Sequence, residues 1–284
     1  MTRSGARFLV VVRAGDTSLH PHWTRDLATR DWDLVVSYFG NDPERFRNPG
    51  ETRIDDKGQK WSGLHALLAR EDFWRGYDYI WLPDDDLAIE QDTISTLFQR
   101  ASAMGLMLAQ PALSWTSYYS HRITLVHPSF TLRMTNFVEA MAPCFARPFL
   151  ERCLPTFVEN LSGWGIDVLW PRMLPRTPRS CAIIDALQMT HTRPVGGPNY
   201  DKLREAGLTA ADEADALMMK YGIPLDSRAM VYLGVDREGR IFDAADSAGK
   251  EALRRLLAAD RAAFAQAVAQ NVILDGSARS TNAR

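Results

Sequence analysis

The chain has 284 residues, a hydrophobic content of 46% and a formal net charge of −2. These values suit one or two globular domains, and they exclude both a disordered chain and a protein recruited to nucleic acid or anionic lipid by its overall charge. No segment approaches the roughly 20 apolar residues of a membrane span, and the three cysteines form no C-x-x-C pair. We therefore predict a soluble, cytoplasmic protein with reduced thiols.

Strand-like and helix-like segments alternate along the chain up to residue 110. The apolar run at residues 8–12 predicts a first strand, because it is too short for the apolar region of a signal peptide. Further strands are predicted at 32–39, 77–82 and 106–109, helices at 22–29, 60–70 and 93–104, and a loop at 41–56. This alternation is typical of an α/β domain with a mostly parallel sheet.

The chain changes character near residue 197. Before it, we predict strands at 122–126, 136–142 and 181–189, a helix at 147–160 and a proline-rich connection at 171–178. After it, we predict helices at 200–221 and 250–273 with a hairpin between them. We therefore divide the chain into an α/β domain, residues 1–197, and a mostly helical segment with a small hairpin, residues 198–284. The helices of the second segment could pair two copies of the protein.

Three consecutive carboxylates, Asp84, Asp85 and Asp86, directly follow the predicted strand at 77–82. Their charges repel one another, and a divalent cation resolves that repulsion because oxygen ligands suit Mg²⁺ and Mn²⁺. Two carboxylates separated by one residue, at the carboxyl edge of a sheet, are suited to a metal–phosphate ligand. The alternative is a solvated acidic turn.

Three further elements of the sequence could complete such a site. Lys60 opens the helix before the acidic strand, Trp164 and Asp167 belong to the Gly-Trp-Gly-Ile-Asp segment, and His191 follows the predicted strand at 181–189. Each has an ordinary structural explanation. Lys60 could be a surface residue, Trp164 a core residue, Asp167 a helix cap and His191 a structural histidine.

The order of these segments resembles an uncharacterised glycosyltransferase-like family, catalogued as domain of unknown function 707, and the donor half of GT-A glycosyltransferases. The resemblance covers residues 7–195 and rests on residues 60–61, 77–87, 121–124, 137–143, 163–167 and 184–185. It implies a GT-A-like α/β fold with a mixed, mostly parallel sheet flanked by helices. The helical segment after residue 197 would be appended to it. It also implies a nucleotide-sugar donor.

The segments are also similar to the β-1,4-galactosyltransferase group, and this likeness implies roles for individual residues. Asp86 would bind the metal directly, Asp84 would face the nucleotide ribose or a water on the metal, and His191 would complete the metal shell. Lys60 would lie near the donor or support the loop of residues 84–86, the acidic loop. Asp167 would be the catalytic base. The chain departs from that group in carrying a single acid after Gly-Trp-Gly-Ile, where the group has several.

The chemistry of glycosyl transfer gives independent reasons for these residue types. A dication that bridges both phosphates stabilises the departing diphosphate, and an imidazole ligand favours Mn²⁺ over Mg²⁺. An inverting reaction needs a carboxylate that deprotonates the acceptor hydroxyl, a contribution of typically ~10²–10⁴-fold. Trp164, between two glycines, could lie against the ring of a sugar acceptor.

Three more residues are predicted to contact the donor. Asp85 belongs to the acidic loop. Glu139 could bind the donor sugar or be a buried acid with its hydrogen bonds satisfied. Arg13, after the first strand, could approach the base or diphosphate of the donor, or it could pair with Asp16.

The predicted function is therefore metal-dependent transfer of a sugar from a nucleotide-sugar donor to a glycan or another hydroxyl acceptor, with inversion. A UDP-sugar is the expected donor, and the abundant Arg and Ala indicate a bacterial source and a role in surface polysaccharide. The alternative is a non-catalytic module that binds nucleotide sugars or glycans. A phosphatase or phosphotransferase is disfavoured, because the chain lacks the Asp-x-Asp-x-Thr and G-x-x-x-x-G-K-[ST] patterns.

Overall fold

The computed structural model describes residues 7–175, 179–194, 196 and 198–270. Its strands are β1 Phe8–Ala14, β2 Asp33–Tyr38, β3 Glu51–Asp55, β4 Tyr79–Trp81, β5 Leu87–Ala88, β6 Leu108–Leu113, β7 Phe130–Thr135, β8 Cys144–Ala146, β9 Cys181–His191, β10 Val231–Asp236 and β11 Ile241–Asp243. Its α-helices are α1 Lys60–Arg70, α2 Gln91–Ala103, α3 Arg147–Cys153, α4 Ile166–Arg172, α5 Pro198–Glu205, α6 Ala210–Lys220 and α7 Ser247–Gln270.

A single mixed sheet forms the centre of the fold and confirms the predicted α/β class. The strand order is β11-β10-β7-β9-β6-β8-β4-β1-β2-β3, and β5 pairs with β9 beside this path. Strands β3, β2, β1, β4, β6, β9 and β10 run in one direction, whereas β8, β7 and β11 run in the other. The sheet is therefore mostly parallel, as predicted.

Both faces of the sheet are covered, which explains the continuous apolar run of β1. Every residue of β1 is buried. Leu9 and Val11 pack in one core cluster, whereas Val10 and Val12 pack in the other, because successive side chains of a strand point to opposite faces. Helices α1, α3 and α4 contribute to the first cluster and α2 to the second.

Several predicted elements are wrong in type. Residues 122–126 do not form a strand, because a 3₁₀ turn spans Arg122–Thr124 and the guanidinium of Arg133 binds the carbonyls of Ile123 and Leu125. The predicted strand at 136–142 is also wrong, since the strand in this region is β7. A 3₁₀ turn at His20–Trp23 replaces the helix at 22–29, and the predicted loop at 41–56 contains the edge strand β3.

The chain after residue 198 contributes to the sheet as well as forming helices. The predicted hairpin is present as β10 and β11, and β10 pairs antiparallel with β7, so the hairpin extends the central sheet. Residue 197 itself lies outside the described residues, and the division of the chain there stays a prediction. Within the described ranges, no helix has the length and apolar character needed to cross a bilayer.

Candidate active site

The acidic loop lies at the carboxyl edge of the sheet, directly after β4. The backbone N–H of Leu82 donates to the carbonyl of Pro143 at 3.0 Å, and that of Asp84 donates to the carbonyl of Met141 at 2.8 Å. The loop therefore runs beside the segment that precedes β8. In an open α/β fold, ligands bind at this edge of the sheet.

Lys60, the first residue of α1, fixes one end of the acidic loop. Its Nζ lies 2.6 Å from Oδ1 of Asp84 and donates to the carbonyls of Ala140 at 2.8 Å and Met141 at 3.2 Å. Three acceptors thus surround the ammonium group. Lys60 thus supports the acidic loop, and its contact with a donor stays a prediction.

His191 meets Asp86 because β9 ends beside the acidic loop. Leu87 of β5 pairs with His191, and the backbone N–H of Thr192 donates to the carbonyl of Asp86 at 3.1 Å. Nε2 of His191 lies 3.3 Å from Oδ2 of Asp86. Burial lowers the pKa of His191, but the Asp86 carboxylate outweighs this effect and raises it to about 9. The structure thus brings together two residues separated by most of the α/β domain.

The Asp86–His191 pair has the properties of a partial metal site. Nδ1 of His191 lies 2.9 Å from the carbonyl oxygen of Tyr118, which can only accept, so Nδ1 carries a proton and Nε2 faces Asp86. Oδ1 of Asp86 is buried and has no hydrogen-bond partner among the described residues. The 3.3 Å separation is close to the ~3.1 Å between neighbouring ligands that each lie ~2.2 Å from an octahedral ion.

Asp84, the third predicted ligand, lines the same cavity as Asp86 and His191. Its carboxylate is bound to Lys60, and no group of three or more His, Cys, Asp or Glu side chains in the described part of the chain is arranged to hold a metal. A dication held by Asp86 and His191 would have its other positions open for further ligands such as phosphate oxygens and water. Coordination by Asp84 stays a prediction.

A cavity of about 210 Å³ joins the Asp86–His191 pair to a second group of polar residues. The second group comprises His121, Glu139, Trp164, Asp167 and Tyr200. Trp61, Ser162 and Gly163 also line the cavity. One cavity can therefore present a charged ligand and a second reactant to these two groups of residues.

Asp167 is held at the start of α4 by a backbone that requires glycine. Gly163 and Gly165 have φ of +80° and +87°, in the left-handed region. A Cβ on Gly163 would lie 2.5 Å from the Trp61 indole nitrogen, and one on Gly165 would lie 3.1 Å from Cα of Ala214. Asp167 is buried, and this burial raises its pKa to about 7, against the opposing effect of backbone N–H groups at the start of the helix. A carboxylate with this pKa is suited to general-base catalysis near neutral pH.

Glu139 is the second buried acid of the cavity. Its backbone N–H donates to Oε1 of Gln110 at 2.6 Å, which fixes the main chain. Oε2 is buried, and no described residue forms a hydrogen bond with it. Burial, with the charge of Asp167 as the next cause, raises the pKa of Glu139 to about 8. Its carboxyl group is therefore protonated at neutral pH and has hydrogen-bonding capacity left for a ligand.

Two predicted donor contacts do not line the cavity among the described residues. Arg13 is buried and donates to Ser37 Oγ at 2.9 Å, to the Gly58 carbonyl at 2.6 Å and to Asp56 Oδ2 at 3.2 Å. Its ionic partner is Asp56, whereas Asp16 is bonded to the hydroxyl of Tyr38. A donor contact by Arg13 stays a prediction.

Asp85 connects two loops at the same edge of the sheet. Its Oδ2 accepts from the Gly15 N–H at 2.8 Å, its Oδ1 lies 3.4 Å from Nη1 of Arg193, and its carbonyl accepts from the Leu19 N–H at 2.6 Å. These contacts link the loop after β1 to the end of β9. They give Asp85 a structural role, and its contact with a donor also stays a prediction.

His121 and Tyr200 line the cavity but were not identified as site residues from the sequence. His121 is packed between the rings of Phe137 and Trp164, with centroid distances of 4.5 and 6.1 Å, and its Nε2 lies 4.0 Å from Oδ2 of Asp167. Tyr200, in α5, accepts a hydrogen bond from Nε1 of Trp164 at 2.6 Å. His121 belongs to residues 121–124, which contributed to the family resemblance, but its spacing from other histidines and acids is not typical of metal ligands. Tyr200 lies after residue 195, where the resemblance ends.

Helix α6 holds the loop that carries Trp164. The carboxylate of Glu213 accepts from the backbone N–H groups of Leu161 at 2.9 Å and Ser162 at 2.8 Å. Lys220, at the end of the same helix, pairs with Glu159 at the start of the loop. The segment after residue 198 therefore supports one wall of the cavity.

Comparison with known proteins gives structural similarities only. No protein-family model matches the chain, and no curated protein matches it. Similar solved structures include Staphylococcus aureus TarS in complex with UDP-GlcNAc, with 11% identity over 73% of this chain and a TM-score of 0.48. The chain spans 66% of that TarS structure.

Two further solved structures are similar at comparably low identity. Mycobacterium tuberculosis glucosyl-3-phosphoglycerate synthase, in complex with Mn²⁺, UDP-glucose and phosphoglyceric acid, is 14% identical, with 78% of this chain and 81% of that one covered and a TM-score of 0.46. A putative nucleotide-diphospho-sugar transferase from Desulfovibrio desulfuricans is 15% identical, with 76% and 98% covered and a TM-score of 0.40. At these values the similarities assign no residue, substrate or reaction to this chain.

Proposed function

We propose that this protein is a metal-dependent glycosyltransferase with a GT-A-like fold, which moves a sugar from a nucleotide-diphosphate donor to a hydroxyl acceptor. One observation carries the proposal: a single cavity joins the Asp86–His191 pair, which is suited to a dication, to Asp167, a buried acid with a pKa raised to about 7. A cation site and an isolated base in one cavity are the two parts that this reaction needs.

Asp86 and His191 would hold the metal, for which Mn²⁺ is the first choice and Mg²⁺ the second. Such an ion neutralises charge on a departing diphosphate. Lys60 holds Asp84 and the acidic loop in position for it. The unpartnered Oδ1 of Asp86 and the fixed Nδ1 of His191 support this assignment.

In the proposed reaction Asp167 is the base. The acceptor oxygen forms a bond to the anomeric carbon, its proton passes to Asp167, and the bond between the anomeric carbon and the diphosphate oxygen breaks. The nucleoside diphosphate leaves with that electron pair. Attack from the side opposite the leaving group inverts the anomeric centre. Asp167, at the start of α4, lines the same cavity as Asp86 and His191 but lies on a different element, and this placement supports the assignment.

Glu139 and Trp164 would bind the two sugars. Protonated Glu139 can donate one hydrogen bond and accept others, which suits a hydroxyl of the donor sugar. Trp164 offers an aromatic face beside Asp167 for the acceptor. The resemblance to domain of unknown function 707, a cytoplasmic location, a role in bacterial polysaccharide synthesis and pairing through the helices after residue 198 stay predictions.

Calorimetric titration with nucleoside diphosphates tests this proposal. We expect binding of UDP, or of another nucleoside diphosphate in the same panel, in the presence of Mn²⁺, and none after the metal is chelated. Absence of binding to every nucleotide, with and without Mn²⁺, would contradict the proposal. Metal-dependent binding without any hydrolysis or transfer of the matching nucleotide sugars would instead favour the non-catalytic module.

A further inference from the structure

His121 and Asp167 face each other across a gap in the cavity. Nε2 of His121 lies 4.0 Å from Oδ2 of Asp167, which is too long for a direct hydrogen bond. An oxygen atom between them can lie ~2.8 Å from both, because that is an ordinary hydrogen-bond length. The gap therefore has the dimensions of a position for one hydroxyl group or one water molecule.

Both the ring and the backbone of His121 are in contact with neighbouring groups. The ring packs against Phe137 and Trp164. The backbone N–H and hydroxyl of Thr124 both donate to the His121 carbonyl, at 3.0 and 2.7 Å.

Arg133 holds the 3₁₀ turn that follows His121. Its guanidinium binds the carbonyls of Ile123 and Leu125, both at 2.8 Å, and it is paired with the buried Asp185. A buried ion pair therefore holds the turn that begins at His121 in place.

The charge state of His121 suits a hydroxyl ligand. Burial lowers the pKa of His121 to about 4, so its ring is neutral at pH 7 and carries one N–H. Asp167 opposite can accept a proton. A hydroxyl group matches this pair, since it has one proton to donate and lone pairs to accept, whereas a carboxylate or phosphate group would be repelled by Asp167.

We propose that His121 and Asp167 together bind the acceptor hydroxyl, an inference that rests on the proposed glycosyltransferase function. The Nε2–H group of His121 donates to the acceptor oxygen, and the acceptor O–H donates to Oδ2 of Asp167. During transfer the oxygen bonds to the anomeric carbon, the proton passes to Asp167, and the diphosphate leaves with the electrons of the broken bond. His121 keeps its proton and orients the attacking lone pair. The acceptor is thus an uncharged hydroxyl compound at the reacting position.

Hydrolysis of the donor tests this inference without knowledge of the natural acceptor, because water then takes the place of the acceptor hydroxyl. The nucleotide sugar that the wild-type protein hydrolyses fastest with Mn²⁺, chosen from a panel that includes UDP-glucose, UDP-galactose and UDP-GlcNAc, serves as substrate. His121→Phe keeps an aromatic ring between Phe137 and Trp164 but removes the nitrogen. His121→Gln keeps an N–H donor.

We expect His121→Phe to lower kcat for hydrolysis roughly tenfold, the effect of losing about one hydrogen bond. The Kd of the matching nucleoside diphosphate with Mn²⁺ should stay within about twofold of the wild-type value. His121→Gln should recover at least about a third of the wild-type kcat. His22→Phe is the matched control, because His22 is exposed and lies outside the cavity lining; it should leave both quantities unchanged.

Three results would overturn the inference. His121→Phe could hydrolyse the donor at the wild-type rate, it could weaken nucleotide binding as much as it slows hydrolysis, or His121→Gln could be no better than His121→Phe. Thermal unfolding of each variant checks that packing around the ring is intact. Failure of the proposed function itself is visible separately, since the wild-type protein would then bind no nucleoside diphosphate and hydrolyse no nucleotide sugar.

Discussion

Two walls of the cavity are built in different ways. On the metal side, backbone pairing between β5 and β9 sets the distance between Asp86 and His191. On the Asp167 side, a loop with two left-handed glycines carries the site residues, and side chains of α5 and α6 hold that loop. The first wall belongs to the sheet, whereas the second depends on residues that follow position 198.

The segment after residue 198 holds the loop on the Asp167 side of the cavity. Glu213 accepts hydrogen bonds from two backbone N–H groups of the loop, and the Tyr200 hydroxyl accepts one from the Trp164 indole. A Cβ on Gly165 would lie 3.1 Å from Cα of Ala214 in α6. The helices are therefore structural components of the candidate acceptor side. Substitutions on the metal side should abolish donor binding, and substitutions on α6 should alter only the use of the acceptor.

The largest effect is expected from Asp86→Asn. The substitution removes the charge of the proposed metal ligand and leaves His191 without its ionic partner. Because electrostatic stabilisation by a dication amounts to several kcal/mol, transfer should fall roughly 10⁴-fold, and Mn²⁺-dependent nucleotide binding should be lost in calorimetry. Asp92→Asn, an exposed carboxylate of α2, is the matched control. Retained metal-dependent binding in Asp86→Asn would show that the metal lies elsewhere.

Asp167→Asn should separate binding from chemistry. Nucleotide binding should persist, while transfer should fall about 10³-fold through the loss of the general base. The base acts only when it is charged, and burial raises its pKa to about 7, so the wild-type rate should rise with pH through about 7 and then level off. The pH–rate profile of the variant should lack this rise. An unchanged profile in Asp167→Asn would assign the base to another residue.

A smaller effect is expected from Glu213→Gln on α6. An amide offers one acceptor oxygen for the two backbone N–H groups and carries no charge. Because Glu213 is only half-buried, we expect the contact between α6 and the loop to weaken by about 1 kcal/mol and the rate of transfer to fall roughly fivefold. The affinity for Mn²⁺ and nucleotide should not change. The exposed Glu205→Gln is its control. A loss of nucleotide affinity in Glu213→Gln would mean that the two walls are not independent.

Part of the candidate site could be predicted from the sequence, and part could not. The resemblance to the β-1,4-galactosyltransferase group implied that His191 lies near Asp86. In the structure the end of β9 and the loop after β4 meet at one edge of the sheet, which brings the two side chains together. Helix α1 was predicted with its observed bounds because apolar residues recur at helical spacing. In contrast, the polar edge strand β3 has no apolar alternation to reveal it.

His121 was missed because its position depends on a turn that was predicted as a strand. β-Branched and apolar residues favour extended structure locally, but Arg133 captures two carbonyls of this segment and imposes the turn. The contacts of Glu213 and Tyr200 were missed because they join segments far apart in the chain, and no local pattern encodes them. Long-range side-chain contacts of this kind are fixed only once the whole fold has formed.

The most direct test of the account is a crystal structure with Mn²⁺ and the nucleoside diphosphate that binds best. The account predicts an anomalous Mn²⁺ peak about 2.0–2.6 Å from both the Asp86 carboxylate and Nε2 of His191, with phosphate oxygens at the remaining positions. A peak away from this pair, or nucleotide bound outside the cavity, would contradict it.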